Sequence, residues 1–113
     1  MIAPSSQFEI LSVLHQHPQA VDSHFHFAEC VKNIESVFEH CKKSLDDALA
    51  TELSYLIFDL EVLNGLALCE WEISGRPREW HMWKVDFYED AHDLLTQLSA
   101  ILLGQQSNYI RNV

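Results

Sequence analysis

Seven histidines in 113 residues, set among 17 Asp and Glu, are the side chains here best suited to chemistry near neutral pH. His24, His26, Glu29, His40, His81, Asp86 and His92 are of the donor types that bind transition metals. A carboxylate-bridged di-iron site in a helical bundle needs a Glu from each of two helices and Glu-x-x-His from two others, all inward. Only one such motif is present, Glu89 to His92. His24 and His26 would stand about 200° apart on a helix, too far round to chelate one ion together. Exposed histidines near helix ends, titrating near neutrality, are the simpler account, and no metal or other cofactor is expected.

Two further spacings resemble sites in known families. His81 and Asp86 have the His-x4-Asp spacing of hemerythrin-like bundles, but the companion His-x3-Glu and His-x3-His pairs are absent. Arg76-Pro77-Arg78-Glu79-Trp80-His81 has the Arg-x4-His spacing that HEPN ribonucleases place at the start of a late helix. That resemblance implies Arg76 and His81 as an RNA-cleaving pair. It departs from the pattern at Pro77, where a polar residue usually follows the Arg. The chain holds no Gly-rich phosphate loop and no nucleophile elbow. Cys30, Cys41 and Cys69 are an odd number without CxxC spacing, which reads as free thiols in a reducing, cytoplasmic setting.

The elements that must position these residues are helices. Three Gly and three Pro are too few turns for a many-stranded sheet, and 48% apolar residues suffice for one core. Ser6 to Glu9 has the form of a capping box, and Pro18 closes a first short helix at about 6–16. Asp22 or Ser23 caps a second, about 22–43, with Phe27, Cys30, Val31, Ile34, Phe38 and Cys41 at steps of three and four. Lys42 and Lys43 suit its carbonyl end.

A third helix, about 45–73, has Leu49, Leu53, Leu56, Ile57, Leu60, Leu63, Ala67 and Trp71 on one face. Tyr55, Phe58, Val62 and Leu66 widen the apolar surface, so this helix is expected at the centre, or covered by a second copy. Ser74-Gly75 stops it. Pro77 and Glu79 then open a fourth, about 77–103, with Trp80, Trp83, Phe87, Ala91, Leu94, Leu98 and Ile101 as its seam and residues 104–113 a frayed tail. The fold expected is all-α, an up-down bundle of three long helices plus a short N-terminal one, in one domain over 1–113. Neither a secretory signal nor a membrane span is evident.

Charge decides which partners such a bundle suits. With 17 acids against 7 Lys and Arg the net charge is −10, which opposes the approach of a phosphate backbone, so no direct nucleic-acid partner is expected. Stepping about 100° per residue on a fourth helix running from residue 77, Glu79, Asp86, Asp90 and Asp93 share one flank with Glu89 beside them. Glu52, Asp59 and Glu70 line up close to the apolar face of the third helix. Trp71, Trp80 and Trp83 gather at the joint that holds Arg76 and Arg78, a composition found both in core plugs and in binding hot spots.

The function expected is a small acidic protein-binding module that occludes a basic partner, in the manner of an immunity protein, antitoxin, phage-encoded inhibitor or secretion chaperone. Glu79, Asp86, Glu89, Asp90, Asp93, Trp80, Trp83, Arg76 and Arg78 would carry it, with no catalytic residue. A His/carboxylate metal-binding bundle and a HEPN-like ribonuclease are the alternatives, and homodimerisation is compatible with all three.

Overall fold

The computed structural model describes residues 6–104, and the chain forms four helices in the order α1 Ser6–His15, α2 His24–Cys41, α3 Asp47–Ile73 and α4 Tyr88–Leu102. A 3-10 turn, Lys42–Ser44, links α2 to α3, and a π-helical turn, Trp83–Phe87, leads into α4. The cap assigned to the Ser6 side chain, and the tail at 105–113, lie outside the described residues.

Local chemistry sets most of the boundaries. Ser23 is extended and its hydroxyl accepts the His26 amide at 3.2 Å, so Ser23 rather than Asp22 caps α2. Asp46 does the same for α3 through Leu49 N. The α3 terminus is a Schellman motif: Gly75 N donates to Glu72 O and Arg76 N to Trp71 O, with Gly75 at φ 91° and Arg76 at φ 56°. Glycine costs nothing in that left-handed conformation, whereas Arg76 carries a Cβ into it.

The fourth helix begins later than its sequence suggests. Pro77 and Glu79 do not start it, because two successive left-handed residues turn the chain away from the α3 axis and the Pro77 carbonyl is taken by the indole N–H of Trp71 at 2.9 Å. Residues 76–81 form a connecting loop, and regular α geometry starts at Tyr88 after the π turn, whose Trp83 carbonyl accepts the Tyr88 amide.

Packing is cyclic: α1 lies on α2 and α4, while α3 lies on α2 and α4 from the other side. Gln7 Nε2 donates to Leu102 O, joining the start of α1 to the end of α4, and Trp83 Nε1 donates to Val21 O at the opposite end. The bundle is therefore up-down. Ile10, Phe27, Ile34, Leu53, Leu60, Leu98 and their neighbours fill its middle. The central position expected for α3 is not what forms. Its Leu53, Leu56, Leu60, Leu63 and Ala67 face the core, while Tyr55, Phe58, Val62 and Leu66 stand in solvent, because helices lie on one side of it only. Among the described residues no helix is long and apolar enough to cross a membrane.

Candidate functional site

The late start of the fourth helix creates a concavity. Instead of continuing the bundle, residues 77–81 fold across the start of α2 and the end of α3 and leave a cleft of about 770 Å³, a size that accepts a drug-sized molecule or several side chains of a partner. Its walls are Trp71 and Leu68 from α3, His24 and Phe25 from α2, and Trp80 and Trp83 from the fourth segment. Asp22, Arg78, Glu79, His81 and Lys84 stand around them.

Three indoles in one place have three different settings. Trp83 is a core plug, 1% exposed, with Nε1 donating to Val21 O at 2.8 Å and its ring against Phe27 (5.4 Å) and nearly parallel to Phe87 (6.0 Å, 15°). Trp71 is half-buried, and its bond to Pro77 O holds the loop down. Trp80 is half-buried between His24 (5.9 Å) and Phe87 (5.5 Å), and its Nε1 is shut off from solvent without an acceptor among the described residues. An unpaired buried donor costs on the order of 1–3 kcal/mol, so this indole is held by its ring contacts.

His24 is fixed from both sides. Its Nε2 donates to Asn64 Oδ1 at 2.9 Å, and its ring lies 5.6 Å from that of Trp83. With one ring nitrogen committed and aromatic faces around it, His24 is a wall of the cleft. Phe25, beside it, is 69% exposed at the rim.

The cleft unites only part of the set expected from sequence. Arg78, Glu79, Trp80 and Trp83 meet there. Arg76 does not line it and instead pairs with Glu72 at 3.0 Å on the surface. Asp86 lies in the π turn, and Glu89, Asp90 and Asp93 lie on α4, all exposed. The single acidic flank drawn from residue 79 to 93 assumed one uninterrupted α-helix. The loop at Glu79 and the i→i+5 ladder at 83–87 break that register for Glu79 and Asp86, leaving Glu89, Asp90 and Asp93 within about 100° of arc on α4. His24, Phe25 and Leu68 were missed as site residues. Phe25 carried a signal, an aromatic about 200° from the Phe27 seam position.

The alternative chemistries find less support in the geometry. Arg76 lies in the connecting loop, where it pairs with Glu72, and His81 directly precedes Met82, where the helical run through the π turn into α4 begins. Among the described residues no three His, Cys, Asp or Glu side chains come together to hold a metal ion. Burial pushes the Cys30 thiol up to about 11, which makes it a packed hydrophobe at neutral pH.

A second cluster lies on the α2–α3 seam. The Glu35 carboxyl hydrogen-bonds to that of Glu61, and this bond, with burial and the neighbouring charge, raises Glu35 to about 7. Two acids held together share a proton in place of a cation.

Comparison with family models, with curated proteins and with solved structures found no match to this chain. The fold and the cleft define it by class, as an acidic all-α bundle with an aromatic cleft beside the α3–α4 joint.

Proposed function

We propose that this protein is a binding module that covers a basic surface of another protein, the mode of action of immunity proteins, antitoxins, phage-encoded inhibitors and secretion chaperones. The observation that carries the reading is the cleft. Its walls are aromatic, two of its three indole donors are spent on carbonyls of the same chain, and its rim holds both signs of charge. Such a cleft suits an apolar or aromatic anchor of a partner, since buried anchors in preformed pockets dominate interface energies. Exposed Phe25 and Met82 extend the apolar contact at and near the rim. Around it the net charge of −10 draws in a positive surface, with Asp86, Glu89, Asp90 and Asp93 steering encounter.

The test is retention of partners from source-cell lysate at low salt, followed by a salt gradient. One basic protein, released at moderate salt and lost from Phe25→Ala and from Asp86→Asn/Asp90→Asn/Asp93→Asn proteins, is the expected result. Retention of that protein by both variants, or no specific retention, refutes the reading.

A further inference from the structure

α3 is apolar on two opposite faces, and only one of them is used. Stepping about 100° per residue, Tyr55, Phe58, Val62, Leu66, Cys69 and Ile73 fall within about 80° of arc, opposite the buried Leu53 and Leu60. All six are exposed, Phe58 at 60% and Ile73 at 78%. The stripe runs about 27 Å along the helix. It presents roughly 500 Å² of apolar surface, near the upper end of what a monomer leaves bare.

Both edges of the stripe are acidic. Glu52, Asp59 and Glu70 border one side, and Glu61 and Glu72 the other. The whole of α3 carries six carboxylates and no Lys, Arg or His. Midway along sits Gly65, in a helix interior where glycine is the least favoured residue after proline. Nothing of the chain lies within 4 Å of where its Cβ would be, so the fold itself does not require the missing side chain. A glycine there permits another backbone to come close. At the same level Glu61 is held against Glu35 of α2, two carboxyls together where one cation would satisfy both.

We propose that the outer face of α3 is a docking surface for a basic amphipathic helix of a partner protein, its apolar side on the Tyr55–Ile73 stripe and its Lys and Arg on the bordering carboxylates. A second copy of this chain is the poorer occupant. Any pairing of α3 with itself sets carboxylates against carboxylates along both edges, a like-charge arrangement that costs affinity. A helix of similar length with flanking contacts gives a total buried area of about 1,000–1,200 Å², at the threshold of a specific interface. The surface is separate from the tryptophan cleft and rests on the binding-module reading only in taking the partner to be basic.

The probe is a synthetic helix of about 20 residues with Leu at i, i+3, i+4 and i+7 and Lys or Arg flanks, against a copy with Glu flanks. Cys69, inside the stripe, is the native reporter, since Cys30 and Cys41 are buried. The basic peptide is expected to slow alkylation of Cys69 at least about tenfold at saturation, and to lose about tenfold in affinity in the Glu52→Lys/Glu70→Lys protein. Gly65→Ala is expected to raise the melting temperature yet weaken the peptide severalfold. Phe25→Ala leaves peptide binding unchanged.

Equal protection by the Glu-flanked peptide, no protection by either, or protection that rises with protein concentration alone overturns the proposal, the last by identifying a second copy as the occupant. If a basic lysate partner is lost from the Phe25 and α4 variants while the basic peptide leaves Cys69 unprotected, the α3 surface is rejected and the binding-module reading stands. If the peptide protects Cys69 but no lysate partner depends on the cleft or α4, the reverse holds.

Discussion

Replacing Trp83 by Phe tests the joint between core and cleft in one substitution. The indole is 1% exposed, so the six-membered ring that Phe retains still fills part of the site, and the rest becomes void. Full truncation of a buried Trp costs about 3–5 kcal/mol, and keeping one ring saves roughly half of that, leaving about 2 kcal/mol. The substitution also removes the donor to Val21 O, a 2.8 Å bond that ties the π turn to the residues before α2, for about 1 kcal/mol more. The sum is about 3 kcal/mol, or roughly 12 °C of melting temperature for a chain of this size. Urea unfolding followed by far-UV circular dichroism measures it, with thermal melting as a second probe. Trp71→Phe is the control. It loses an equivalent bond, to Pro77 O, but from a half-exposed ring, and is expected to cost about 1 kcal/mol. Losses below about 1 kcal/mol for Trp83→Phe, or equal losses for the two variants, refute the assignment of Trp83 as the plug on which the cleft is built.

Two other outcomes follow from titratable groups. Glu35 is raised to about 7 by its hydrogen bond to Glu61, so it is protonated in both folded and unfolded chains below pH 4.5, and above pH 7 the folded chain alone bears the repulsion; stability therefore falls as pH rises from 4.5 through 7. Screening at the solvent edge holds the effect to about 1 kcal/mol, and Glu35→Gln should flatten that part of the stability–pH curve; an unchanged slope in urea melts refutes the pairing. Thiol titration at pH 8 should count one fast-reacting cysteine, Cys69, in the native protein and three after unfolding, and a second fast thiol in the native state contradicts the burial of Cys30 and Cys41.

The cleft and the α3 face share a physical origin in how few helices there are to cover them. Four helices in a ring give each helix two neighbours, so a helix that is apolar on two opposite faces, as α3 is, keeps one of them wet. A loop that lies flat across one end, rather than another turn of helix, leaves Trp71 and Trp80 only partly enclosed. Both surfaces sit in a chain of net charge −10, but only the α3 face presents its apolar area within an acidic border, while the cleft rim carries both signs.

Read alone, the sequence determines the elements and the core. Spacings of three and four place Phe27, Cys30, Val31, Ile34, Phe38 and Cys41 on one side of α2, and all six are buried there. Capping chemistry is local, so Ser23 could be narrowed to one of two candidate caps and Gly75 assigned as a helix stop from neighbours in the chain, while the Asp46 cap, one residue past the expected start of α3, emerged only in the structure. The same local reasoning failed at Pro77 and Glu79, because the groups that oppose a helix there are the Arg76 backbone, forced left-handed, and the indole of Trp71 six residues earlier. Periodicity also cannot say which apolar face of α3 is covered. Leu60 and Phe58 are two residues apart and equally apolar in composition, yet one is buried and the other 60% exposed. That choice belongs to the tertiary structure, since burial depends on how many partner helices exist and where they lie, and nothing within a single helix encodes it.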